Sequence, residues 1–179
     1  ALGAVSSFSY DLDGNLASAT DAKGGTALFS YDDAGNLVGH TDRVGRSTSY
    51  AYDAVGRLAS LVTPEGNKTE YSYDALGNVS EIIDGLGHRT AYAYDEEGNM
   101  TSIESPSGAV EKMEYDLAGR LVAATDPAGA LSRYDYDGLG NLIEKAYSAD
   151  EEAGVLYSFD SEGRTVSSSD RAGDAVFER

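Results

Sequence analysis

The chain has 179 residues, with 13 Lys and Arg against 31 Asp and Glu, a net charge of −18, 13 Tyr, and neither Cys nor Trp. That balance excludes a nucleic-acid binder, which needs clustered cations to neutralise phosphates, and equally an anionic membrane surface; the missing thiols exclude a disulfide framework and a thiolate metal centre. A hydrophobic content of 41% is too high for an acidic disordered tail, no apolar run reaches transmembrane length, and the opening Ala1-Leu2-Gly3-Ala4-Val5 lacks the basic and long apolar stretches of a signal peptide.

The first element is Phe8-Ser9-Tyr10-Asp11-Leu12-Asp13-Gly14-Asn15, and it recurs. Its Tyr, Asp and Gly return as Tyr31, Asp32 and Gly35; Tyr52, Asp53 and Gly56; Tyr73, Asp74 and Gly77; Tyr94, Asp95 and Gly98; Tyr115, Asp116 and Gly119; and Tyr136, Asp137 and Gly140, always 21 residues on. An eighth copy, Phe159 with Asp160 and Gly163, arrives after 23 residues. Self-similarity at a fixed period marks a repeat array, so residues 1–179 are expected to form a single array of about eight units, and residues present in every unit are expected to be structural.

Each Asp-x-x-Gly reads as a hairpin turn. The carboxylate suits the first position of a type I turn because it accepts from backbone amides, and Gly suits the left-handed position of the bulge that closes a three-residue hairpin loop. A second turn follows about ten residues later with the same grammar: Asp21 to Gly24, Asp42 to Gly45, Thr63 to Gly66, Asp84 to Gly87, Ser105 to Gly108, Asp126 to Gly129 and Asp170 to Gly173. All 3 prolines, Pro64, Pro106 and Pro127, fall at its second position, where their fixed φ is preset for the turn. Between turns lie strands of roughly six residues, near the usual length.

The predicted fold is therefore all-β, a continuous antiparallel meander of tandem hairpins. Tyrosines two apart, such as Tyr71 and Tyr73, share a strand face, and Leu16, Leu37, Leu58, Val79, Met100, Leu121 and Leu142 supply apolar partners in the returning strands. The rings are expected to be mainly core, with hydroxyl tips reaching water or a partner. So wide a sheet is expected to curve or spiral as twist accumulates, and its ends to be open edges able to self-associate. Gly3 sits at a second-turn position and a further Tyr-Asp falls due just past Arg179, so the chain is expected to be an excised run of repeats.

The pattern Tyr-x-Tyr-Asp-x-x-Gly-Arg/Asn-Leu followed by a Pro-x-Gly or Asp-x-x-Gly turn resembles the YD-repeat, or RHS-repeat, family. Tyr50 to Leu58 with Pro64-Glu65-Gly66, and Tyr134 to Leu142, carry the likeness most closely. That family includes bacterial RHS polymorphic toxins, the shell component of insecticidal toxin complexes and the animal teneurins. The resemblance implies hairpins wound into a hollow β-shell, here a partial one, within a secreted or cell-surface bacterial protein. It implies as partners the other repeats of a parent protein, together with an enclosed C-terminal toxin or a surface glycan or protein. No toxin domain is recognisable, nor the family's terminal core segment with its aspartate-dependent self-cleavage. Asp126-Pro127 belongs to a second turn, so no cleavage role passes to it.

No enzyme signature stands out against the repeat. Asp11-Leu12-Asp13-Gly14-Asn15 opens like a calcium loop but lacks the closing glutamate, and other copies lose the second acid, so turn capping is the expected role. His40 and His88 occupy different repeat positions and are expected at the surface or in loops; no His-Glu-x-x-His, Walker or Gly-x-Ser-x-Gly motif is present, and no cofactor or metal is expected. Asn67-Lys68-Thr69, Asn78-Val79-Ser80 and Asn99-Met100-Thr101 match glycosylation sequons, the last two as by-products of the turn asparagine. The one irregular place runs from Tyr147 to Gly154, where two extra residues and the acids Asp150, Glu151 and Glu152 mark a longer loop, tolerated by the array and the first place to look for contact with a cation or basic partner. The expected function is a non-enzymatic wall segment that encloses or presents a toxin or effector, with a carbohydrate- or protein-binding adhesion module as the competing class.

Overall fold

The computed structural model describes residues 5–147, 150–160, 164–170 and 175–178. Among them there is no helix, and the chain divides into two units, Ala1–Arg89 and Thr90–Arg179.

The first unit carries β1 (Ser7–Tyr10), β2 (Leu16–Thr20), β3 (Thr26–Tyr31), β4 (Leu37–Thr41), β5 (Ser47–Tyr52), β6 (Leu58–Val62), β7 (Lys68–Tyr73) and β8 (Val79–Ile83). Each strand pairs antiparallel with the next in sequence, from β1 with β2 through β7 with β8. The second unit is built the same way from β9 (Arg89–Tyr94, which opens at the boundary), β10 (Met100–Glu104), β11 (Val110–Tyr115), β12 (Leu121–Thr125), β13 (Leu131–Tyr136), β14 (Leu142–Tyr147), β15 (Asp150–Phe159), β16 (Thr165–Asp170) and β17 (Ala175–Glu178). The meander follows from the short turns, since loops this short can only join antiparallel neighbours.

The Tyr-Asp hairpins contain a feature beyond the expected turn. In β5 and β6, Tyr52 pairs with Leu58 but Ala51 pairs with Ser60, so Ala59 is an extra residue, a bulge. Tyr50 then opposes Leu61. In a regular strand, residues three apart face opposite sides; the bulge puts Leu58 and Leu61 on the same side as Tyr50 and Tyr52. The register slips the same way at Ala17, Val38 and Ser80 in the first unit and at Thr101, Val122, Ile143 and Val166 in the second. Each unit therefore has an aromatic face, with rows such as Tyr71 opposite Ile82 or Tyr92 opposite Ile103, and a reverse face of smaller and polar residues.

The expected aromatic core is corrected in one respect. No described side chain is fully buried, and Tyr31, Tyr50, Tyr52, Tyr71 and Tyr73 are half-buried. A sheet that covers its rings only with neighbours in the same layer leaves their outer faces in contact with water. Tyr10 on β1, with no strand described on its far side, is 63% exposed.

Candidate functional site

The repeated residues build one device many times. In the third copy, the Asp53 Oδ1 accepts from the amides of Val55 at 3.0 Å and Arg57 at 2.9 Å, and its Oδ2 accepts from Arg57 Nε at 2.7 Å. The Gly56 amide donates to the Asp53 carbonyl at 3.0 Å and the Asp53 amide to the Arg57 carbonyl at 2.8 Å, closing the loop. Gly56 sits at φ 84°, a left-handed conformation that a Cβ disfavours. Asp11, Asp32, Asp74, Asp95 and Asp137 hold the same contacts with Asn15, Asn36, Asn78, Asn99 and Asn141 in place of Arg, the amide Nδ2 donating to Oδ2. Asp116 repeats the arginine form with Arg120. Gly14, Gly35, Gly77, Gly98, Gly119 and Gly140 all take positive φ. At the eighth copy Asp160 accepts from the Arg164 amide and Nε; Gly163 lies outside the described residues.

These bonds favour the ionised carboxylate. The Asn36 side chain and amide hold Asp32 below its ordinary value of 3.8, and the Arg57 amide does so for Asp53. In the second turn at Asp42, the Arg46 amide and guanidinium bring the carboxyl down to about 2. Asp21, Asp84 and Asp126 cap their turns in the same manner.

Copies are joined by the tyrosine and, where present, the arginine. The Tyr73 hydroxyl donates to the Leu58 carbonyl of the preceding copy at 2.8 Å, next to the bulge at Ala59 where the ladder is disrupted. Arg57, fixed by Asp53, stacks its guanidinium 4.4 Å from the Tyr73 ring centroid and points Nη1 at the Asp74 carbonyl at 3.5 Å. Tyr52 reaches the Leu37 carbonyl likewise. In the second unit Tyr136 donates to the Leu121 carbonyl at 2.9 Å beneath Arg120, whose guanidinium lies 4.8 Å from the ring. Tyr31, Tyr94 and Tyr115 end β3, β9 and β11 at the equivalent positions.

The longer loop expected at Asp150, Glu151 and Glu152 is corrected: their backbone belongs to β15. Ala146 pairs with Gly154 and Tyr147 with Asp150, so the extra residues are taken up as an irregularity within the ladder. His40 also differs from expectation, lying half-buried in β4 and stacked on Phe29, whereas His88 sits exposed in a turn with Nδ1 2.9 Å from Asp84 Oδ2. Among the described residues no three His, Asp or Glu side chains group as metal ligands. The arginine clamp and the second bulge, at Ala59 and its equivalents in the returning strands, were not foreseen. The spacing of three between apolar residues in several returning strands, such as Leu58 to Leu61 or Val79 to Ile82, was the available sign of the bulge.

Among solved structures, the chain resembles TcdB2-TccC3-Cdc42, with a TM-score of 0.68 and 22% identity over 89% of this chain and 10% of that one. It also resembles a Photorhabdus luminescens Tc holotoxin pore with mutated TccC3 (TM-score 0.63, 18% identity, 91% and 12% covered) and TcdB2-TccC3-TEV (0.58, 14%, 93% and 13%). The likeness is one of fold, and this chain spans roughly a tenth of the length of those chains. No curated protein matches it. The RHS Repeat family model matches residues 31–69, and the Teneurin YD-shell model matches residues 61–178. With that match over most of its length, and with Tyr-Asp hairpins clamped copy to copy, the chain belongs to the teneurin YD-shell family.

Proposed function

We propose that residues 1–179 are one continuous run of repeats in the wall of a larger secreted or surface-exposed bacterial protein, and that this wall encloses a toxin or effector. The observation that carries this is the division of labour in the repeat. Side chains found in nearly every copy are spent on closing turns and on joining one copy to the next, as Asp53 does within its loop and Tyr73 does on the Leu58 carbonyl. Such an array adds stability repeat by repeat and makes a sheet one layer thick, which suits a barrier. The fold likeness to segments of Tc toxin structures supports the same role. The test uses the full parent polypeptide with a protease site placed after the repeats. Cleavage only after denaturation is expected; immediate cleavage of the folded protein would overturn enclosure.

One observation favours adhesion as a second role: the rings of Tyr50, Tyr71 and Tyr92 are half-buried and keep surface for a sugar or protein to stack upon. Binding on a glycan array that disappears on Tyr71→Leu would support it, and silence across the array would count against it.

A further inference from the structure

Because one unit is copied along the chain, residues that break its pattern can be compared with their counterparts in register, and in the first unit several breaks converge. On the aromatic face a regular repeat pairs Leu61 with Thr69; one repeat pair earlier in the first unit the same position holds Ala19 paired with Ala27. These two are 9% and 7% exposed and floor a cavity of about 380 Å³. Where Tyr50 opposes Leu61, Phe29 opposes His40, and the two rings stack at 5.0 Å with their planes 28° apart, lining the same cavity. The adjoining turn, Asp42-Arg43-Val44-Gly45-Arg46, is the one second turn with two arginines, and both reach the rim.

The arginines are positioned. Gly25 stands where other second turns carry Arg46, Asn67 or His88, and a Cβ there would lie 3.3 Å from Arg43 Cβ and 3.4 Å from its Cδ. The glycine thus admits the Arg43 stem, whose Nε reaches 3.4 Å from Asp21 Oδ2. Arg46 Nε donates to Asp42 Oδ2 at 2.7 Å. Each guanidinium is held through Nε and carries terminal donors in the planar geometry that suits a carboxylate; the Glu65 carboxylate also lies within electrostatic reach of Arg46.

We propose that this cavity binds an aromatic carboxylate. A flat ring lies on the alanine floor against the Phe29–His40 stack, and its carboxylate takes the terminal donors of Arg43 and Arg46. Asp42 at the rim, Asp21 beside Arg43 and Glu65 near Arg46 disfavour a polyanion. The site is independent of the wall function, since none of these residues belongs to the repeated turn of the Tyr-Asp hairpin.

The test is titration of the full chain with N-acetylphenylalanine and with its amide, followed by amide NMR. Shifts centred on Ala19, Ala27, Phe29 and His40 are expected with the acid, and binding of the amide at least about tenfold weaker. Arg43→Gln with Arg46→Gln should weaken the acid by a similar factor. Ala19→Leu with Ala27→Thr installs the pair that the regular repeat already holds in register, so it should fill the floor and abolish binding with no fall in Tm. A peptide ending in a free phenylalanine carboxylate that binds more tightly than N-acetylphenylalanine points to a polypeptide terminus as the natural source, and equal binding points to a free small molecule. Absence of shifts at about 10 mM, equal binding of acid and amide, or undiminished binding by either double variant overturns the proposal.

Discussion

If Arg57 and Tyr73 join neighbouring repeats, their energetic coupling is measurable. Arg57→Asn is the informative change because Asn is what other copies use at this position: Asn78 Nδ2 caps Asp74 Oδ2 at 3.0 Å, so the turn at Asp53 keeps its cap. What is lost is the guanidinium 4.4 Å over the Tyr73 ring, on a part-exposed surface, worth about 0.5–1 kcal/mol. Tyr73→Phe keeps the ring and removes the 2.8 Å bond to the Leu58 carbonyl, worth about 1 kcal/mol. Tyr73→Leu removes both. Urea unfolding of the single and double variants should therefore show Arg57→Asn and Tyr73→Phe adding, whereas Arg57→Asn and Tyr73→Leu fall short of their sum by about 0.5–1 kcal/mol. Additivity of the second pair to within about 0.3 kcal/mol would refute the clamp, because residues with no mutual contact add.

Acid should weaken the fold in a defined window. Carboxylates depressed below 3.8, with Asp42 at about 2, contribute stability that is complete above the unfolded value and is lost as pH falls through the folded one, so Tm should drop between about pH 4 and about pH 2. Asp42→Asn should shrink that drop, as read by thermal melts across the window. Gly77→Val forces a β-branched residue to φ 96° and should cost at least about 1–2 kcal/mol, seen as a lower unfolding midpoint; an unchanged midpoint would contradict the left-handed turn. Deleting Ala59 removes the bulge and leaves Leu58 and Leu61 two apart, still facing Tyr52 and Tyr50 in a continuous ladder, so the variant should keep its β6 and β7 amides protected from hydrogen exchange; loss of that protection would contradict Ala59 as the extra residue.

Local turn chemistry was legible because it is contained in five contiguous residues. An aspartate that caps its own loop and a glycine that takes positive φ are decided within Asp53 to Arg57, and once two such turns alternate every ten or eleven residues an antiparallel meander follows. The sequence by itself therefore determined the repeat, the hairpins and the class of fold. It did not determine which side chains meet. Tyr73 finds the Leu58 carbonyl and Arg57 finds Tyr73 only through strand register, and Leu58 joins Leu61 on one face only because Ala59 bulges. Asp150 to Glu152 looked like a loop by insertion and acidity, yet Asp150 pairs with Tyr147 of β14 and the backbone of all three belongs to β15. The cavity over Ala19 and Ala27 arises in the same way: the two alanines lie eight positions apart, His40 and Arg43 come from the next hairpin and turn, and each is unremarkable alone. Cross-strand pairing brought them together, and pairing is a property of the folded sheet, where a shift of one residue exchanges every side chain between its faces.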